Sequence, residues 1–325
     1  MKAAFFSNNT EWAGERHIVD NVYAAGRRER IGELTNLVPG IISSDNFEEQ
    51  LDRIWDIDVI FSTWGMPELT PAQLDKLPKL KALFYAAGAT QYFRAPLVER
   101  GIIVCSATPA NAIPVAEFAL AQILLAGSGY FRNSRECTDA WHTEVANNFR
   151  GHGNYGNRVA ILGNGAISSR LQDLLKHHDL DVVVVPSRAE NRTVSLEEAF
   201  ATSFAVVNLF PDRDDNAGVF NEPLFASMIP SAVFINVGRG RQVNEADLIR
   251  VMKLRPDLTA LLDVQWPEPP VDGSELYSQP NILLSGHIAG STASEYIRMA
   301  DYMIQEFQRF ERGEPLLYEV TPDSL

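Results

Sequence analysis

Six short apolar runs, at residues 159–162, 181–185, 203–209, 232–237, 258–263 and 282–284, dominate the second half of this chain. Each is too brief for a helix and lacks the polar alternation of a strand with one wet face. Runs of that kind read as strands buried on both faces, the habit of parallel sheets. Helical candidates separate several of them, near 196–200, 223–228 and 245–252, the last with Asn244 as its expected N-cap. Strands alternating with helices predict an α/β fold built on a doubly wound parallel sheet, whose ligands sit beyond the carboxyl ends of the strands.

The first run leads directly into glycines, in Val159-Ala-Ile-Leu-Gly-Asn-Gly-Ala-Ile-Ser168. An amphipathic stretch follows to about His178, with Ile167, Leu171, Leu174 and Leu175 on one helical face. Strand, glycine turn and helix are the context of a dinucleotide fingerprint: Gly163 permits the tight turn and Gly165 lets a pyrophosphate approach the backbone. The helix start adds unpaired N–H groups and a positive dipole end. The third position is Ser168 instead of glycine, still small enough for close helix–strand packing. A glycine turn at an unrelated strand–helix junction is the plainer alternative.

Three charged or titratable residues then follow apolar runs. They are Arg239 in Ile235-Asn-Val-Gly-Arg-Gly240, Glu268 in Leu262-Asp-Val-Gln-Trp-Pro-Glu-Pro269, and His287 in Ser285-Gly-His-Ile-Ala-Gly290. Taken singly they are equally an ion-pair arginine, a solvated glutamate and a capping histidine. At successive strand ends they project toward one crevice, where a guanidinium, a carboxylate and an imidazole can hold an acid and move a proton.

At these residues the chain resembles the D-isomer-specific 2-hydroxyacid dehydrogenase family, which includes phosphoglycerate dehydrogenases and glyoxylate or hydroxypyruvate reductases. The resemblance also takes in Thr108-Pro-Ala-Asn-Ala-Ile-Pro-Val-Ala-Glu117 at the start of a long helix, Leu262-Asp-Val, Glu268-Pro and His287-Ile-Ala-Gly, and so spans most of the chain. It implies a Rossmann nucleotide domain over 106–291 and a smaller, discontinuous, flavodoxin-like substrate domain over 1–105 and 292–325. It implies an oxidoreductase that moves a hydride between NAD(P)H and C2 of a small 2-oxo or 2-hydroxy acid, with D stereospecificity. Arg239 is then the residue that binds the substrate carboxylate and polarises the adjacent carbonyl, His287 the acid–base, and Glu268 its partner. Gly163, Gly165, Ala166, Ile167, Ser187, Arg188, Pro211, Val237, Gly238 and Asp263 fall at cofactor-binding positions, Asp263 toward the nicotinamide. The alternative from another class is a dinucleotide-sensing binding protein of the same fold, like the corepressors that resemble this family. It would need a partner surface, and neither an extra arm nor a basic patch is visible in the sequence.

The acidic residue that holds a ribose 2′-hydroxyl in NAD enzymes lies about 20 residues past the fingerprint. Here that place belongs to Pro186, followed by Ser187 and Arg188, with Arg192 nearby, while Asp181 stands too far back at the start of its strand. A hydroxyl and a guanidinium accept a 2′-phosphate, so NADP is favoured over NAD.

In the first hundred residues, strands are expected at 2–6, 59–62, 80–85 and 102–105, with helices near 19–30 and 71–76 and a C-terminal helix over 293–311. The turn Ala86-Ala-Gly-Ala-Thr90 matches a family loop whose N–H groups hold the substrate carboxylate, which points to Gly88, Ala89 and Thr90; Thr90 replaces a usual glycine. Trp64, with Met66, stands where a neighbouring loop lines the pocket, and is equally an ordinary packing residue.

The remaining properties exclude more than they select. A length of 325 residues implies two domains. Twenty-eight basic against 42 acidic residues give a formal charge of −14, which disfavours nucleic acid and anionic membranes as partners. The apolar stretch 113–127 contains Glu117 and Gln122 and is short for a membrane span, no signal segment is evident, and two cysteines make no disulfide framework or metal motif. The cytoplasm is therefore the expected address. His17, His142, His152, His177 and His178 lack a strand-end context and are not expected in catalysis. The helix expected over 113–131 is apolar on more than one face, as the twofold dimer helix of the family is, and a homodimer is expected through it.

Overall fold

The computed structural model describes residues 1–8, 17–146, 150–290 and 292–320. Two compact units divide the chain: a discontinuous one, residues 1–111 with 291–325, and a continuous one, residues 112–290. The first crossing falls after Asn111, inside a helix, rather than at Ser106.

The discontinuous unit carries β1 (Lys2–Phe6), β2 (Asn36–Leu37), β3 (Val59–Ser62), β4 (Ala82–Tyr85) and β5 (Ile103–Ser106). They form one parallel sheet in the order β2-β1-β3-β4-β5, the flavodoxin-like sequence of strands. The order reverses between β1 and β3, which sets a crevice at their carboxyl ends. Strand β2 has only two residues and no apolar run, so nothing in the sequence marks it. The helix expected over 19–30 is two helices, Ile18–Val22 and Arg27–Leu34, because Ala25 and Gly26 take φ of 52° and 84° and break the ladder between them. The C-terminal helix Glu295–Glu311 buries Met299, Met303 and Phe307 in this unit's core.

The continuous unit carries β6 (Arg158–Leu162), β7 (Asp181–Val185), β8 (Ala205–Asn208), β9 (Val233–Asn236), β10 (Thr259–Leu262) and β11 (Ile282–Leu284). All pair in parallel, in the order β11-β10-β9-β8-β6-β7. Alternate residues of β6 face opposite layers. Ala160 and Leu162 join a core with helices Leu196–Thr202, Glu222–Ser227 and Glu245–Leu254. Val159 and Ile161 join the other, with helix Ala166–Leu175 and Val115, Ala116, Ala119 and Ile123. Both faces are thus covered, which explains why the strands read as unbroken apolar runs. Asn244 is the N-cap expected, its side chain accepting the Asp247 N–H.

The helix expected over 113–131 runs instead over Thr108–Gly127, and a second one, Tyr130–Glu136, follows. Gly129 at φ 76° makes the break. By length and composition Thr108–Gly127 is long and apolar enough to cross a membrane, longer than the 113–127 stretch suggested. Val115, Ala116, Ala119 and Ile123 on it are buried in the core named above.

Candidate active site at the strand ends of the continuous unit

The strand order reverses between β6 and β8, and the glycine turn lies at the end of β6. Gly163 takes φ 122°, and a Cβ there would stand 2.6 Å from the Leu209 carbonyl oxygen beyond β8. Only glycine fits, for conformational and steric reasons together. Gly165 is the N-cap of helix Ala166–Leu175, no side chain caps it, and nothing lies within 4 Å of where its Cβ would be. The turn therefore presents uncapped N–H groups, Ala166 and Ile167 first, to open space: a cradle that fits the pyrophosphate of a dinucleotide. Ser168 is buried beneath it, and its hydroxyl accepts a bond from Gln172 at 3.0 Å, so the serine in the third position packs as the small residue the junction needs.

At the end of β7, Pro186 and Ser187 form a loop braced by Arg192, which donates to the carbonyls of Pro186 at 2.9 Å and Ser187 at 2.7 Å and lies over the Phe210 ring. Arg188 is exposed and forms no ion pair among the described residues. Asp181 is engaged by Arg158 at 2.7 Å, at the opposite end of its strand.

Arg239 follows β9. Its Nη1 donates to the Gly238 carbonyl at 2.7 Å, and its guanidinium has no carboxylate partner among the described residues. A Cβ on Gly240 would stand 2.0 Å from the Gln265 carbonyl carbon and oxygen, so this loop rides directly on the backbone of the loop after β10. That second loop carries Glu268. It is steadied by Glu245, which accepts the Trp266 N–H at 2.8 Å and whose own pKa is raised by burial.

Glu268 and His287 meet: Glu268 Oε1 and His287 Nδ1 are 2.7 Å apart. Both side chains are partly exposed, which leaves the far ring nitrogen of His287 open. The histidine is held at φ 55°, uncommon for a residue with a Cβ. Asp263 supplies the constraint. Buried at the end of β10, its Oδ1 accepts the Ser285 hydroxyl at 2.6 Å and the Ile288 N–H at 2.9 Å, and its Oδ2 accepts the Ala289 N–H at 2.9 Å. Its carbonyl also accepts the His287 N–H at 2.9 Å. Asp263 thus clamps the histidine loop from both sides, a use the family resemblance does not suggest.

Sequence reasoning missed Asn208 and Gln242. Both are fully buried and bonded to each other at 2.7 Å, and they connect the loop holding Pro211 with the one holding Val237, Gly238 and Arg239. The available signal was an amide ending the apolar run Ala205-Val-Val-Asn208, where burial without a partner is costly.

In the discontinuous unit, Gly88, Ala89 and Thr90 follow β4. The Gly88 carbonyl accepts the hydroxyls of Ser106 at 2.7 Å and Thr108 at 3.0 Å, while among the described residues the N–H groups of 88, 89 and 90 make no hydrogen bond. Three free amides in one turn suit an anion. Trp64, after β3, is half-buried with its ring edge-on to Tyr296, centroids 5.6 Å apart, and Met66 is buried in the core. Of the other histidines, His17 caps its own helix, His142 pairs with Asp139 and His152 meets the Pro230 carbonyl. Among the described residues no three His, Cys, Asp or Glu side chains converge as metal ligands would.

Comparison with known proteins agrees with this fold. The family model described as "D-isomer specific 2-hydroxyacid dehydrogenase, NAD binding domain" matches residues 121–289. D-3-phosphoglycerate dehydrogenase 1 of Saccharomyces cerevisiae is 30% identical over 75% of this chain and 56% of its own length. A glyoxylate reductase of Pyrococcus furiosus is 26% identical over 82% of this chain and 83% of its own. Among solved structures, a phosphoglycerate oxidoreductase from Rhizobium etli has a TM-score of 0.80 with 20% identity, over 99% of this chain and 98% of that one, a likeness of fold.

Proposed function

This chain belongs to the D-isomer specific 2-hydroxyacid dehydrogenase family, and we propose that it reduces a small 2-oxo acid to the D-2-hydroxy acid with a nicotinamide cofactor, or runs the reverse oxidation. The observation that carries this reading is the 2.7 Å contact between Glu268 and His287 on a clamped, partly exposed loop at a strand end. The glycine turn and the N–H groups of Ala166 and Ile167 would hold the cofactor's pyrophosphate, and the cofactor would supply hydride exchange at C2 of the acid. Glu268 fixes the ring through Nδ1, which leaves Nε2 to give a proton to the C2 oxygen in reduction and take it back in oxidation. Arg239, a planar donor with no competing carboxylate among the described residues, holds the acid's carboxylate and draws charge onto the carbonyl oxygen. Within the discontinuous unit, the free amides of Gly88, Ala89 and Thr90 suit a carboxylate as well.

For the cofactor we favour NADP. Pro186 fills the position of the usual acidic residue, and Ser187 with the exposed Arg188 meets a 2′-phosphate without repulsion, while an adenine ribose bearing only a hydroxyl finds one bond pair fewer. The same reading makes the protein a cytoplasmic homodimer through 113–131, where Leu125 and Tyr130 are 40% and 53% exposed. Light scattering in solution checks the dimer; a monomer removes it.

The test of function is a screen of glyoxylate, hydroxypyruvate, pyruvate and bulkier 2-oxo acids with NADPH and NADH. Oxidation of either cofactor by at least one acid is expected, faster at low concentration with NADPH. Silence with every acid defeats the reading, and a clear NADH preference defeats the choice of NADP alone.

A further inference from the structure

We infer that Asn208 and Gln242 are positioning residues that hold Arg239 and the Phe210–Pro211 turn in one fixed relation, so that the acid-binding guanidinium is set by a buried amide network. The inference rests on the reading of Arg239 as the carboxylate holder.

Three side-chain amides, Asn208, Asn236 and Gln242, are fully buried at the carboxyl ends of β8 and β9. Asn208 Nδ2 donates both to Asn236 Oδ1 at 2.8 Å and to Gln242 Oε1 at 2.7 Å. Each amide is then pinned by backbone groups of fixed polarity. Asn208 Oδ1 accepts the Phe210 N–H at 3.0 Å, Asn236 Oδ1 the Gly238 N–H at 3.2 Å, and Gln242 Oε1 the Arg239 N–H at 3.2 Å. In the other sense, Asn236 Nδ2 donates to the Arg239 carbonyl at 3.3 Å, and Gln242 Nε2 to those of Phe210 at 3.1 Å and Pro211 at 2.8 Å. Backbone N–H groups only donate and carbonyls only accept, so no amide can flip without placing like against like. The backbone of Arg239 is thereby held on both its N–H and its carbonyl. Gly238 completes the fit, since a Cβ there would stand 2.7 Å from Asn208 Nδ2. Buried networks satisfied in this way have one arrangement, and losing a member leaves unpaired groups.

The consequence is that Asn208, with no contact to the acid required of it, controls the affinity for the acid through Arg239. The test is a cycle of Asn208→Ala and Arg239→Gln, singly and together, in the full-length protein with glyoxylate as probe at saturating NADPH. Gln242→Ala serves as a second entry should Asn208→Ala unfold, with circular dichroism as the check. Arg239→Gln is expected to raise KM sharply. Asn208→Ala is expected to raise KM about tenfold with kcat changed less, and to add little further once Arg239 is gone, the non-additivity of a residue acting through another. If Arg239→Gln raises KM but Asn208→Ala and Gln242→Ala change nothing, or multiply KM equally in both backgrounds, the network is only structural and the inference falls while the role of Arg239 stands. If Arg239→Gln leaves KM unchanged, both fall.

Discussion

The two ends of the cleft in the continuous unit are built by opposite means. At the end of β6 the chain removes side chains: Gly163 has no room for one, Gly165 has nothing near it, and the helix start is uncapped. At the ends of β9, β10 and β11 the chain supplies them in excess, with Arg239 fixed by amides, His287 by Glu268, and the histidine loop by both oxygens of Asp263. A diphosphate needs only backbone N–H groups and close approach. Directing a proton and a carboxylate requires side chains in one orientation, and each orientation needs its own supports.

The comparison breaks most visibly at His287. His287→Ala should lower kcat by roughly 10²–10⁴-fold, the usual worth of a general acid–base, with cofactor affinity near wild type. Next is Gly240→Ala, whose Cβ meets the Gln265 backbone at 2.0 Å. Backbone cannot step aside as a flexible side chain does, so a loss on the order of 2–4 kcal/mol in thermal or urea unfolding is expected. Asp263→Asn keeps shape but sets an NH2 against the Ile288 or Ala289 N–H. It should lower kcat about tenfold or more without weakening cofactor binding, and an equal loss of cofactor affinity would return Asp263 to the nicotinamide. Gly163→Ala should act in the other direction, weakening cofactor with little effect on kcat at saturation, and costing about 1–3 kcal/mol of stability from the positive φ. Smallest is Arg188→Ala, expected to raise KM for NADPH several-fold, up to about tenfold, and leave KM for NADH unchanged, since an exposed phosphate contact is screened.

The glycine end was almost wholly legible, because a positive φ and a close approach demand one residue type, and Gly163 and Gly165 announce themselves. Both sheets were legible too, apart from the two-residue β2, since strands buried on two faces read as unbroken apolar runs. The breaks were less so: Gly129 ends one helix and Ala25 with Gly26 another, and amphipathic patterns run through such points undisturbed. The supports of the acid end were hidden for a different reason. Asn208, Gln242 and Ser285 are ordinary polar residues whose significance lies in what they meet across strands, and neighbours in a parallel sheet are distant in sequence. Asp263 shows the limit from the other side: its motif drew attention, but only its four bonds, three to the carboxylate and one to its carbonyl, reveal that it holds the histidine loop.

The most direct test of the account is turnover of the best 2-oxo acid from the screen by His287→Ala, with NADPH binding followed in parallel by its fluorescence. The account predicts that oxidation of NADPH by the wild type is lost in the variant while the nucleotide binds as before. Undiminished turnover in a folded His287→Ala protein would contradict it.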